Sequence, residues 1–263
     1  MVGSVCKLVA LVFSAATLSA CTTTAVKSGS GFLSSYEGLQ PRTDVVRSSV
    51  LQRRDDALVS SVTRVWIMPA EIFGVVDFQL SEEERRMVLS EVDRQICYEL
   101  SEYFEVTEHS DPQAGVVRVG VTHIAPTHQA GSAVAAVANF FIPGPIKVRT
   151  PGGLGGLGAE AELLSPDGRQ AAAIVWRRDA MVVGTDKPSL SRIGDAHRLA
   201  EPLGDMVADA LGTEERETRS STLPDPCQRF GPRIRPEGFI VGIATGLYQP
   251  ELSGGRSTEP DED

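Results

Sequence analysis

The chain holds 263 residues, with 25 Lys and Arg against 35 Asp and Glu and a formal net charge of −10. So acidic a balance excludes electrostatic capture of nucleic acid and peripheral adhesion to anionic headgroups, both of which need dense Lys and Arg. The length suits one domain with a substantial core plus appendages, or at most two small domains.

Taken from the N-terminus, Lys7 is followed by an apolar stretch from Leu8 to about Ala16, and Leu18, Ser19, Ala20 and Cys21 close it with small residues. These are the parts of a secretory signal. The run is too short for a transmembrane helix, which needs about 20 apolar residues. Its last four residues read as a lipobox, so residues 1–20 are expected to be cleaved and Cys21 to carry diacylglycerol and a fatty acyl group such as palmitate. A buried helix is the alternative, but such a helix seldom precedes Cys-Thr-Thr-Thr and a Ser/Gly stretch. Two or three acyl chains would anchor the chain stably where one would not. Thr22 stands second in the mature chain, and similarity to bacterial lipoproteins of this pattern implies the periplasmic face of the outer membrane.

Thr22 to Ser30 has the composition of a flexible tether. Phe32, Leu33, Tyr36 and Leu39 form a one-sided apolar stripe, predicting a short helix that Pro41 ends and that docks on the domain. Arg42 to Ser61, polar with scattered Val and Leu, reads as an arm lying across the surface. Arg64 to Met68 is a β-branched and aromatic run stopped by Pro69, hence a strand. Ser81 with Glu84 three residues on is a capping box, opening an amphipathic helix to about Phe104. Within its apolar arc Asp93 is the one misfit, read as solvated, the alternative being a perturbed carboxylate.

Strands are predicted at Phe104 to Thr107 and Val116 to Ile124, with His123 at the strand end. A hairpin follows over 159–164 and 170–178, around the turn Ser165-Pro166-Asp167-Gly168. Ala159, Ala161 and Leu163 on one strand and Ala171, Ala173 and Val175 on the other are assigned to one packed face, with Glu160 and Glu162 on a wetter one. Ile193 to Leu211 is a second amphipathic helix, which Pro202 should kink or split and which stops at Gly212. From Thr213 the chain turns Pro/Gly-rich and charged, with one apolar island at Phe239 to Leu247.

Candidate chemistry is sparse. His109, His123, His128 and His197 are scattered, and His123 and His128 lie five apart across Pro126, without the spacing of a helical zinc site. The Gly-rich run from Gly152 to Gly158 lacks a following Lys-Ser/Thr and leads into a strand, so it reads as a flexible connection. No nucleophile elbow is present. The expectation is therefore no enzyme, no catalytic residue, no metal and no cofactor. Signal loss removes Cys6 and lipid consumes Cys21. That leaves Cys97 and Cys227, which can pair in an oxidising compartment or remain two separately buried thiols. Ala130 to Pro143 carries no charge; it reads as a helix buried between strands, the alternative being an exposed flap that meets lipid or a partner. Arg229, Arg233 and Arg235 form the one basic cluster, expected as a solvated face.

At Ser30-Gly-Phe-Leu-Ser34 with Tyr36 and Leu39, at Ile67-Met68-Pro69, and at Gly158 to Arg178 with its Gly-x-Glu-x-Glu-Leu opening, the chain resembles a family of bacterial lipoproteins catalogued as a domain of unknown function. The resemblance implies an envelope lipoprotein and transfers no catalytic residue. The expected organisation is a signal peptide at 1–20, a lipidated tether and docking arm at 21–62, a domain at 63–212, and a largely irregular tail at 213–263. The domain is expected to be α+β and two-layered, a mixed sheet of about five strands with two helices on one face. The expected function is that of an outer-membrane-anchored periplasmic lipoprotein, a non-enzymatic binding or envelope-assembly module. The alternative is a lipid-handling or transport accessory with an apolar groove. Expected partners are the membrane, through the acyl chains, and an unidentified envelope protein or lipid; nucleic acid is excluded.

Overall fold

Alternating apolar residues in the sequence build one mixed eight-stranded sheet in the computed structural model, which describes residues 29–74, 80–140, 147–149, 154–184, 188–213, 225–231, 248 and 250. The strands are β1 (Gln40–Pro41), β2 (Ser49–Arg54), β3 (Arg64–Ile67), β4 (Glu71–Ile72), β5 (Glu105–Thr107), β6 (Gly115–Ala125), β8 (Gly156–Leu164) and β9 (Gln170–Asp179). A separate two-stranded ribbon joins β7 (Lys147–Val148) to β10 (Val183–Gly184). The helices are α1 (Asp56–Ser61), α2 (Glu82–Ser101), α3 (Gln129–Phe140) and α4 (Gly194–Leu211).

The main sheet runs β1-β2-β9-β8-β6-β3-β5, with β4 also on β6. It is antiparallel from β1 to β6 and parallel where β3 meets β5 and β6. Pro69 cannot donate to a ladder, so the strand breaks there and resumes as β4, with Met68 N–H still reaching Val117 O at 3.0 Å. The fold is thus α+β as expected, but with more strands than five. Arg42 to Ser61 is not a surface arm: it supplies β2, which pairs with β9 along its whole length, and α1, capped by Asp55.

Both long helices lie on one side. Val88, Val92, Ile96 and Leu100 of α2 and Leu199, Leu203, Val207 and Leu211 of α4 share a core with Val117, Val119, Ala159, Ala161, Ile174 and Trp176. At the start of α2, Ser81 Oγ accepts from Glu84 N–H at 3.1 Å and Glu84 Oε2 from Ser81 N–H at 2.7 Å. Pro202 neither splits α4 nor ends it; the helix is continuous through it. Gly212 follows with φ −83°, not in the left-handed conformation of a usual helix stop. A β-carbon there would lie 2.8 Å from both Ala208 O and the Tyr103 ring. Arg54 of β2 closes this helix end instead, donating to Asp209 O at 3.0 Å and Gly212 O at 2.9 Å.

The hairpin forms about Gly168, at φ +81°, but its faces differ from expectation. Five residues, 165–169, separate the strands, and a register shift follows between Leu163 and Leu164. A one-residue shift moves every later side chain to the other face. Ala159, Ala161 and Leu163 consequently oppose Trp176, Ile174 and Ala172 on the helix side, while Ala173 and Val175 join Glu160 and Glu162 on the far side.

That far side is not wet. Phe32 and Leu33 pack on Ala173 and Val175, with Tyr36, Leu39, Leu51 and Phe73 around them. The helix expected to be buried at Ala130 to Pro143 is only partly so where it is described: on α3 Ser132 and Ala135 are buried while Val134 is 63% exposed, and 141–143 lie outside the described residues. The signal, Cys21, the tether to Lys27, the Phe239 to Leu247 island, Arg233 and Arg235 lie outside the described residues.

Candidate functional site

Glu160 and Glu162 sit on the central strand β8, two residues apart and therefore on one face. They are 2% and 0% exposed. Buried carboxylates need hydrogen-bond partners, and the N-terminal motif provides them. Ser30 N–H donates to Glu160 Oε1 at 2.7 Å, and the Tyr36 hydroxyl donates to Glu160 Oε2. Ser34 donates twice to Glu162, from its N–H to Oε2 at 2.8 Å and from its hydroxyl to Oε1 at 2.9 Å. Arg118 and Gln170 complete Glu162 at 2.7 and 2.8 Å.

Tyr36 in turn accepts from Gly31 N–H at 2.8 Å and Leu33 N–H at 3.2 Å. The predicted helix at Phe32 to Leu39 does not form; the segment is irregular, and its backbone N–H groups at Ser30, Gly31, Leu33 and Ser34 are held by the two carboxylates and the phenol. Gly31 at φ +96° and Gly38 at φ +75° set an irregular path that few other residues adopt. Phe32 then meets Phe73 edge-on at 5.3 Å, with the Arg118 guanidinium 4.8 Å from its centroid. Chemically this is a clamp: each of the four carboxylate oxygens is engaged by residues of the chain itself.

The remaining polar clusters are structural in the same sense. Asp93 is buried, not solvated; it accepts from Ala70 N–H at 2.7 Å. Burial pushes its carboxyl up to about 7, against the opposing pull of that hydrogen bond and of Arg229. Arg229 is exposed, as expected, while its guanidinium donates to Glu108 O at 2.7 Å and Ile67 O at 2.8 Å. Beside it Cys97 of α2 and Cys227 are joined in a disulfide, Cα to Cα 5.8 Å. Arg149 and Asp195 form a buried bidentate pair, and Asp195 also accepts from Gly155 N–H at 2.8 Å, closing the base of the β6 to β8 excursion.

His197 is buried, with Nδ1 2.6 Å from the Tyr248 hydroxyl and Nε2 3.5 Å from Glu91. His123 lies 3.2 Å from Arg177, and burial with that cation lowers its pKa. His109 and His128 are exposed. Among the described residues no group of three or more His, Cys, Asp or Glu is arranged to hold a metal ion. No described helix is long and apolar enough to cross a membrane.

Two of the three sequence segments that carry the resemblance, the opening motif from Ser30 and the strand from Gly158, are thus the two halves of one contact. Reading them separately missed it. The available signal was a pair of alternating carboxylates in a strand otherwise built of Gly, Ala and Leu, too apolar to have a wet side.

Fold and clamp together define an α+β domain whose second sheet face is closed by its own N-terminal motif. The chain belongs to the family described as protein of unknown function (DUF3313), whose model matches residues 28–207, starting two residues before the clamp. No curated protein matches the sequence. Among solved structures, two crystal forms of the PelC dodecamer from Paraburkholderia phytofirmans, one of a point variant, are distantly similar. Each is 11% identical and covers 64% of this chain and 99% of that one, with TM-scores of 0.36 for the variant and 0.37 for the other.

Proposed function

We propose that this protein is a lipid-anchored periplasmic module of the outer membrane, acting by binding an envelope component and not by catalysis. The observation that carries the reading is the clamp of Ser30, Ser34 and Tyr36 on Glu160 and Glu162, because it fixes where the tether leaves the domain. Nine residue steps separate Ser30 from Cys21, about 30 Å when extended. An acyl group on Cys21 would therefore hold the sheet close to the bilayer, at a defined point and on a short leash. The buried carboxylates serve that attachment and present no free oxygen to a substrate.

A second reading, lipid handling, is favoured by one observation: an open cavity of about 310 Å³ is lined by Met87, Leu190 and Ile193, together with the polar Glu84, Gln129, Ser191 and Arg192. Labelled palmitate in growing cells tests the anchor: the label enters the wild type and not Cys21→Ser. Absence of label from the wild type would end the reading. Crosslinking of the lipidated protein in membranes, followed by mass spectrometry, separates the two functions. A captured envelope protein supports the binding module, whereas lipid co-purifying in stoichiometric amount supports lipid handling.

A further inference from the structure

The excursion between β6 and β8 carries a helix that turns apolar side chains to solvent over its described first turns, where Ala135 is the one apolar side chain buried. On α3 the hydroxyl residue Ser132 is 3% exposed, while Val134, two positions on, is 63% exposed, and Ala130 and Ala133 beside it also face outward. A helix on a protein surface normally shows water its polar side. The neighbouring surface continues the pattern. Val148 and Val183 are directly opposed across the β7–β10 ribbon, hence on one face of it, and both are exposed. Leu190, 41% exposed, is tied to the start of α3 by Gln129, whose amide donates to Leu190 O at 2.8 Å. Of the five exposed large hydrophobic residues among the described residues, these are four. From Val119 to Ile146 the sequence has no Asp, Glu, Lys or Arg.

We propose that this end of the domain docks on the bilayer surface, with Val134, Val183 and Leu190 entering the headgroup–acyl boundary. The proposal rests on the lipid anchor and adds an orientation to it. The tether favours a membrane as occupant. Ser30 is pinned to Glu160, four residues along β8 from Gly156 at the excursion end, about 13 Å away. The roughly 30 Å from Cys21 to Ser30 is long enough for that end to touch the membrane. A second copy fits less well, because four isolated side chains fall far below the ~20–30 residues a side of a stable interface. Contact is apolar, so an acidic protein makes it without attracting headgroup charge. The tip of the β8–β9 hairpin, at the other end of a nine-residue strand, then points about 25–30 Å away from the membrane.

Site-directed fluorescence on the full lipidated protein tests this. The acylated Cys21 and the Cys97–Cys227 disulfide leave an introduced cysteine as the reactive thiol, so Val134→Cys, Val183→Cys and, at the hairpin tip, Arg169→Cys each carry one environment-sensitive dye. The protein is reconstituted in phosphatidylethanolamine/phosphatidylglycerol vesicles with and without spin-labelled lipid. Dyes at 134 and 183 are expected to shift to shorter wavelength and to be quenched several-fold more than the dye at 169, with little dependence on salt. Equal quenching at all three positions would overturn the proposal, as would a blue shift at 134 without quenching by spin-labelled lipid, which marks contact between copies. Vesicle flotation of the same samples separates the two levels. Protein that floats yet shows no quenching refutes the docking alone, and protein that fails to float refutes the anchor as well.

Discussion

The Phe32 ring sits so close on Gly120 that a β-carbon at Gly120 would come within 2.6 Å of Phe32 Cδ2. Phe32 belongs to the N-terminal segment and Gly120 to the middle of β6, so this contact seats the clamp on the sheet. Gly120→Ala should displace the ring and destabilise the protein by about 1–3 kcal/mol through overpacking. Limited proteolysis near residue 30 should quicken in the variant. Unchanged denaturant midpoint and unchanged cleavage would show that the segment is not seated there.

Tyr36→Phe removes the hydroxyl that donates to Glu160 and accepts from Gly31 and Leu33. Leaving buried polar groups unpaired costs about 1–3 kcal/mol. A double-mutant cycle with Glu160→Gln should show strong coupling between the two positions, measured by urea unfolding. Additive effects would mean that the hydroxyl and the carboxylate act independently.

Much of this fold is legible in the sequence because apolar periodicity reports burial directly: the stripe from Val88 to Leu100, the alternation of Val117, Val119 and Val121, and the Asp167-Gly168 turn all correspond to elements found. The errors share a cause, namely that periodicity does not say what covers a face. Phe32, Leu33, Tyr36 and Leu39 satisfy a helical spacing, yet long-range hydrogen bonds donated to Glu160 and Glu162 fix the segment in another conformation. The hairpin faces depart from simple alternation because the register shift at Leu163/Leu164 leaves no mark in composition. Asp93 read as solvated because the sequence cannot show that Ala70 N–H, more than twenty residues away, is its donor. Ser49 to Arg54 does not read as a strand because four of its six residues are polar and its partner β9 is distant in sequence.

Asp93 makes stability pH-dependent in an uncommon direction for a carboxylate. Its value rises from 3.8 to about 7 on folding, so the folded state holds the proton more tightly. Its contribution is complete below about pH 4 and is lost as pH rises through about 7. The loss is on the order of 4 kcal/mol at ~1.4 kcal/mol per pKa unit. Asp93→Asn keeps an acceptor for Ala70 and should flatten this part of the stability profile, making the variant more stable than wild type at pH 8 in thermal melts. Parallel wild-type and variant profiles between pH 4 and 8 would contradict the shift.

The disulfide joins residues 130 apart, from α2 to the segment after α4. Replacing Cys97 and Cys227 together by Ala should cost about 2–4 kcal/mol. Reductant should lower the melting temperature of wild type and leave the double variant unchanged. A melting temperature insensitive to reductant would show that the bond adds nothing to stability.

Lipid attachment at Cys21, ahead of the clamp, is the proposal on which the other membrane claims depend, and the mass of the N-terminal peptide tests it most directly. Protein extracted from membranes of the native host with detergent and digested with trypsin should yield a peptide from Cys21 to Lys27 carrying diacylglycerol and an amide-linked acyl chain. A peptide that retains residues before Cys21, or one that begins elsewhere without lipid, would contradict it.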